Sequence, residues 1–423
     1  MEFQHKLFQI RHVLLPQCKG TRDQRERVLT RTRFALALIF GCILPAGKDR
    51  SIDGLCREVK RFTRKRITRC CFHKRLNTKI LTEYLMAIFS ELVKQITESD
   101  SATYREIARQ LSVRRIVVLD STNNSLPDRA RETFPGPRTN KIPASIKVHG
   151  LYSLTDNILK WVHLSPAKMH DRKHFPETHL LVGSLVIFDL AYWDHNLLSE
   201  LNRSGVYFLT RVKNRSKIMI LEVIQGLPRK YKGWGLFSEK VQEFRNKLIE
   251  VICRFHTKDR DQINLRVVGF WNPHEQRYFW YVTNLTCRAQ LVYPLYRLRW
   301  QIELFWKENK SLLLLNQINS GKPNIIKNLI LATLIASIVF GPLSVSLLET
   351  ESDEVQIARS VQRAALVFDC IDFELFNFLD SGSKQDLRVL LDQVFLFTED
   401  LFDPNYRNRS SSMKQTWELM KSS

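Results

Sequence analysis

Two apolar runs of the same build, IVVLD ending at Asp120 and LVIFD ending at Asp189, constrain this chain more than any other feature. Runs rich in Val, Ile, Leu and Phe read as strands, and an Asp at the tip of such a strand lies at the rim of a sheet, where α/β folds place their ligands. One such Asp is an ordinary turn residue. Two in the same register relative to their strands are different, because neighbouring strands would bring them together.

The surrounding pattern is consistent with a mixed sheet. RIVVLDST (115 to 122), ASIKVHGLYSL (144 to 154), ILKWVHLSPA (158 to 167) and SLVIFDLAYWD (184 to 194) read as strands, NLLSELNRSG (196 to 205) as a helix closed by Gly205, and VYFLTRVK as the next strand. Between about 213 and 285 the pattern turns all-β, with KLIEVICRF, INLRVVGFWN and RYFWYVTNL, the last two joined through a turn at Pro273 and His274. Residues 290 to 350 read as helical, and the remainder as more helix ending in a polar tail. The whole indicates an α/β fold with helical N- and C-terminal regions.

The first 110 residues read as helical and strongly basic. SIDGLCREVKRFTRKRITRCCFHKRLN (51 to 77) has the outline of a helix-turn-helix, with Ser51 as N-cap and Leu55 and Val59 on the first apolar face. Its second helix carries Arg69, His73, Lys74 and Arg75, of which Arg69, Lys74 and Arg75 are candidate DNA contacts. The chain has 65 Lys and Arg against 43 Asp and Glu, a formal net charge of +22, which makes nucleic acid the leading partner.

Other chemistries find less support. The eight cysteines form no CxxC pair, so they read as reduced thiols of a cytoplasmic protein rather than a zinc site or a disulfide framework. His170 and His174 have zinc-binding spacing but no third ligand. Residues 328 to 348 carry no charge and are long enough to cross a bilayer, yet Asn328, Gly341 and Pro342 interrupt them, and they read as a buried core helix. Asp194 reads as the cap of the helix after it, and Asp171 as a loop residue or helix start.

A third carboxylate comes from YRLRWQIELFWKENK (296 to 310). On a helical wheel Tyr296, Arg299, Glu303 and Lys310 share an arc of about 60°, beside a core stripe of Leu298, Ile302, Phe305 and Leu313, while Glu308 lies with Arg297 on the solvent side. Three carboxylates at a sheet rim suit two divalent ions that clamp the attacking and leaving oxygens of a phosphoryl transfer.

The spacing from Tyr296 through Arg299 and Glu303 to Lys310 resembles the Y-(2)-R-(3)-E-(6)-K signature of the insertion-sequence-four family of DDE transposases. LDST around Asp120 and DLAYWD from Asp189 are similar to that family's first and second motifs, and the likeness runs over residues 50 to 345. It implies an RNase H-like catalytic core, 111–212 and 286–350, with a β-rich insertion over 213–285; the residues outside it read as a helical basic DNA-binding region over 1–110 and a helical region and tail over 351–423. It also implies cut-and-paste transposition: metal-dependent cleavage and strand transfer of double-stranded DNA at the element's terminal inverted repeats and at the target, by a homodimer in a paired-end complex. Asp120, Asp189 and Glu303 would be catalytic ligands of two Mg²⁺ ions, with Mn²⁺ able to substitute. Tyr296, Arg299 and Lys310 would contact DNA, Trp280 would stack a flipped base, and Lys141 and Lys147 would touch the backbone. A decayed or domesticated copy that only binds DNA, and an RNase H-like structure-specific nuclease, are the alternatives.

Overall fold

Alternation of side chains along each strand sorts the apolar runs onto two faces of one sheet, and both faces are covered. The computed structural model describes residues 2–14, 29–42, 49–95, 102–138, 141–214, 216–245, 247–257, 262–311, 313–348 and 361–397. The polar tail falls outside them. Six helices come first: α1 (Glu2–Leu14), α2 (Arg31–Gly41), α3 (Ile52–Thr63), α4 (Arg69–Leu76), α5 (Lys79–Gln95) and α6 (Ala102–Gln110). Strands β1 (Ile116–Leu126), β2 (Pro135–Arg138), β3 (Ile142–Ser153), β4 (Ile158–Pro166) and β5 (Leu185–Phe188) follow, then α7 (His195–Arg203) and β6 (Tyr207–Arg211). Next come β7 (Met219–Gln225), the short α8 (Glu239–Gln242), β8 (Ile249–His256), β9 (Gln262–Asn272) and β10 (Arg277–Thr283). Helices α9 (Ala289–Arg297), α10 (Trp300–Ser311), α11 (Pro323–Leu348), α12 (Val361–Ser381) and α13 (Lys384–Phe397) complete the described chain.

The strands form a single sheet in the order β2-β3-β1-β5-β6-β10-β9-β8-β7, with β4 also paired to β3. Its centre is parallel: β1 pairs with β5, and β5 with β6. The all-β interval joins the same sheet, because β10 runs antiparallel to β6. Sequence reading missed β7 and α8 in that interval. It also overran β5, which stops at Phe188 and gives way to a tight turn over Leu190–Tyr192.

Ile116, Val118, Leu185, Ile187 and Leu209 face one large core, shared with the N-terminal helices and with α9 to α13. Val117, Leu119, Val186, Phe188 and Phe208 face a second core closed by α7 and residues around Tyr231 and Leu236. Helix α11 lies in the first core, and its apolar stretch Pro323–Phe340 is 78% buried, which accounts for the charge-free run that begins after Lys327. Buried polar ties join it to the N-terminal helices. Arg50 donates to Cys42 O and Leu313 O, both at 2.9 Å, and also to Thr333, while Asn328 Nδ2 donates to Leu76 O at 2.8 Å.

The stretch 296 to 310 is not one helix. Leu298 N bonds Leu295 O and Arg299 N bonds Tyr296 O, three-residue steps that end α9 before α10 begins. The reason is packing. Helix α9 lies over β6 and β9 whereas α10 lies over β1, so the chain redirects between them with Leu298 and Ile302 fully buried.

Helix α10 reaches the sheet at Gly150, which is paired with Asp120 across β3 and β1. A Cβ at Gly150 would lie 2.6 Å from the Trp306 ring, so only Gly permits that approach. Gly150→Ala is therefore expected to lower stability by about 1–3 kcal/mol through overpacking. Urea unfolding of the two proteins checks this, and equal midpoints would show that Trp306 has room to yield.

Candidate active site

Register alone brings the two aspartates together. Leu119 is paired with Phe188 across parallel β1 and β5, so Asp120 and Asp189 are each the next residue along, at the same level of the rim. Both continue the alternation of the residues that face the first core, and α10 covers that face. Asp189 opens the turn at Leu190–Tyr192, and Glu303 enters from the first turn of α10.

Arg299 sits among the three carboxylates. Its Nη2 pairs with Glu303 Oε1 at 2.5 Å and its Nη1 lies 3.9 Å from Asp120 Oδ2, with side-chain exposures of only 18% for Arg299 and 18% for Asp120. Its Nε is buried without an acceptor. The Tyr296 ring lies 5.9 Å from the guanidinium, and burial pushes the Tyr296 hydroxyl up to about 12. Burial likewise raises Asp120 to about 6. A backbone hydrogen bond from Ser121 and the charge of Arg299 oppose that rise, while Asp189 and Glu303 add to it. Burial acts against the charge on Arg299, but Tyr296, Glu303 and Asp189 together raise its pKa.

These mutual effects fit a divalent cation in the chemistry of the donors: hard oxygen ligands of like charge, half-buried, with a single guanidinium between them. Among the described residues no three acidic, histidine or cysteine side chains lie close enough to hold an ion as a set.

One further residue belongs here that sequence reading passed over. Phe188 is paired with Thr210 in β6, so Arg211 stands at the level of Asp189, and it shares the face of Leu209. Both Arg211 and Asp189 act on the Tyr296 hydroxyl. The signal was present in LTRV, an apolar strand ending in a charged residue on the same side as the two aspartates.

The other candidates divide. Lys310 Nζ donates to Asn123 O at 3.1 Å, on the same strand as Asp120, and burial lowers its pKa. Lys147 is buried, 8% exposed, bonded to Asp171 Oδ1 at 2.6 Å and Met169 O at 3.1 Å, so it is a structural ion pair rather than a surface contact. Trp280 is 3% exposed, with its ring against Gly269 and Tyr278, and presents no free face to a base. Lys141 is exposed in the turn before β3, well away along that strand from Gly150 and the carboxylates. Arg69 and Lys74 are exposed on α4, whereas Arg75 turns inward to Leu29 O at 2.8 Å and the Phe34 ring. The helix-turn-helix outline does contain two helices where expected, and Ser51 caps α3 by accepting from Gly54 N at 3.0 Å. Asp194 caps α7 through Asn196 N at 2.8 Å, as its position suggested.

Behind the carboxylates lies a neutral histidine network. His149 bonds Tyr192 Oη at 3.0 Å and Ser165 Oγ at 2.9 Å, and burial pushes its pKa down to about 3. His174 stacks on His163 at 4.6 Å rather than pairing with His170 around a metal.

The transposase DDE domain family matches residues 111–339 of this chain. The chain is 22% identical over 362 residues to the transposase for insertion sequence element IS1151 of Clostridium perfringens, covering 74% of this chain and 75% of that protein. It is 25% identical over 287 residues to the transposase for insertion sequence element IS231F of Bacillus thuringiensis subsp. israelensis, covering 57% and 58% respectively. Among solved structures, a piggyBac transposase synaptic complex with hairpin DNA aligns over 96% of this chain and 84% of that one, at a TM-score of 0.42 and 10% identity.

Holding Asp120 at this rim has a stability consequence. Its folded pKa of about 6 lies above its ordinary 3.8, so the fold favours the protonated form. That contribution is complete below about pH 4 and is lost as pH rises through 6. In a chelator, Asp120→Asn is expected to be more stable than the parent at pH 7.5 by about 1–3 kcal/mol and no more stable at pH 4. Thermal unfolding at both pH values decides, and a loss at pH 7.5 would mean that the attraction of Arg299 outweighs burial.

Proposed function

This chain belongs to the transposase DDE domain family, and from that premise we propose that it cuts and joins DNA at the ends of a bacterial insertion sequence. The observation that carries the reading is the common level of Asp120 and Asp189 at the ends of β1 and β5, with Arg299 reaching from Asp120 to Glu303 on α10. Parallel β1, β5 and β6, flanked by antiparallel β3, support an RNase H-like core, and β7 to β10 then form the β-rich insertion between the second Asp and the Glu. The domain limits remain those proposed from the sequence, with 1–110 as a helical basic DNA-binding region and 351–423 as a helical C-terminal region and tail.

Divalent ions, Mg²⁺ in the cell with Mn²⁺ able to replace it, would bind at Asp120, Asp189 and Glu303 and activate the attacking oxygen. The protein's own part is to place the phosphate. The unsatisfied Nε of Arg299 is a buried donor without an acceptor, and a phosphate oxygen is the acceptor it fits best. Tyr296 stays protonated at neutral pH and can donate to the same group. Arg211 and Lys310 flank it and supply charge to the strand on either side. The double-stranded partners would be the element's terminal inverted repeats and the target, gripped by two copies of the chain in a paired-end assembly in the cytoplasm.

The test is Mg²⁺- or Mn²⁺-dependent cleavage of duplexes that carry the DNA flanking the coding sequence. Asp189→Asn and Glu303→Gln are expected to lose at least about a hundredfold in rate, since even outer-shell partners of metals are worth 10- to 100-fold. Glu308→Gln, on the exposed side of α10, is expected to stay within a few-fold of the parent. Full activity of Glu303→Gln would remove the central assignment.

A further inference from the structure

Away from the carboxylates, a cleft of about 720 Å³ opens between the N-terminal helices and the catalytic half of the chain. Its walls come from three distant parts of the sequence. Helix α4 supplies Arg69 and His73, the turn after β1 supplies Arg129, and the segment leading into α11 supplies Asn319, Ser320 and Lys322. Among the residues that line it the only carboxylate is Asp53, which is paired with Arg69 at 2.8 Å.

Arg129 is set in place rather than loose. Its Nη2 donates to Asn319 O at 3.0 Å and to Asn319 Oδ1 at 2.9 Å. Its stem crosses Gly321 so closely that a Cβ there would lie 2.5 Å from Arg129 Cγ. A guanidinium fixed by a carboxamide, beside Lys322 and Arg69 and lined by hydroxyl and amide groups, has the chemistry of a phosphate-backbone clamp.

The cleft also has a fixed offset from the carboxylates. Strand β1 continues from Asp120 to Leu126 and leads into the turn that holds Arg129, about 20–25 Å of extended chain. The other wall keeps pace, as Lys310 bonds Asn123, Leu315 O accepts from Asn124, and Asn319 meets Arg129. On duplex DNA that span is roughly six to seven base pairs at 3.4 Å each.

We propose that this cleft is a second DNA site, which grips the sugar-phosphate backbone of the element's end six to seven base pairs inside the scissile position. The proposal rests on the reading of the carboxylate site as the place of DNA cleavage.

The experiment measures binding of the full chain to a 40-base-pair duplex carrying the element's end, over a range of salt, for the parent, Arg129→Ala, Lys322→Ala and Arg129→Lys. Each alanine variant is expected to bind roughly 5- to 10-fold more weakly near 0.15 M salt and to lower the salt slope by about one. Arg129→Lys, which keeps the charge, is expected to recover the slope but not the whole affinity. On a duplex cut back to five base pairs inside the cleavage position, all four proteins should bind alike. Unchanged affinity and slope on the long duplex would overturn the proposal, and so would an equal deficit on the short one. Those failures stand apart from failure of the underlying reading, which would show as a parent protein that neither binds the long duplex nor depends on Glu303 to cut it.

Discussion

The structure turns on one electrostatic constraint: acidic groups must be kept together where water is scarce. Carboxylates repel each other and lose hydration when buried, and the rise of Asp120 to about 6 is the local record of both effects. Nothing in the side chains themselves would hold them there. The parallel pairing of β1 with β5 does so, because the backbone ladder fixes the level of Asp120 against Asp189 whatever their charges prefer. The helix above must then come close enough to add Glu303, and Gly150 leaves the space for Trp306 that lets it.

Arg299 is the guanidinium that reaches both Asp120 and Glu303, and it cannot satisfy both fully. Its short bond is to Glu303, its approach to Asp120 is a longer one, and its Nε remains unmatched. Such an arrangement is poor as a structural ion pair, since a buried pair is worth having only when its remaining hydrogen bonds are made. On the function proposed above, a divalent ion at the carboxylates and a phosphate oxygen at Arg299 Nε would supply the partners that these side chains do not find in one another.

Much of this is legible in the sequence. The apolar runs ending in Asp120 and Asp189 specified strand, rim and face, since alternation alone puts both aspartates on the side of Ile116, Val118, Leu185 and Ile187. Glu303 was legible through its spacing to Arg299, a pairing that survives because both lie within a turn of each other. The wheel failed where it assumed one helix, for the break at Leu298 is set by where α9 and α10 each find sheet to cover, which is a tertiary matter. Lys147 and Trp280 were misplaced for a related reason. A lysine opposite a buried strand and a tryptophan beside a glycine look the same in sequence whether they face solvent or core, and only pairing shows that Asp171 and Gly269 are their neighbours. Arg211 was missed because its meaning depends on β6 lying next to β5.

The same core that supports the carboxylates also contains the N-terminal helices, and this bears on how a long DNA end could be read. A helical DNA-binding module on a linker would let its grip and the chemistry drift apart. Here Arg50 and Asn328 bind the N-terminal helices to α11 through buried hydrogen bonds, and one apolar core runs from Leu7 through Leu55 and Leu329 to Leu379. Meanwhile β1 is a single strand that carries Asp120 along its length and runs into the turn that bears Arg129. Extended chain paired with β3 from Asp120 to Leu126 changes length very little, so the separation between Asp120 and Arg129 is a property of the fold. A ruler built into the central strand requires no moving part to set how far from a gripped phosphate the cut falls.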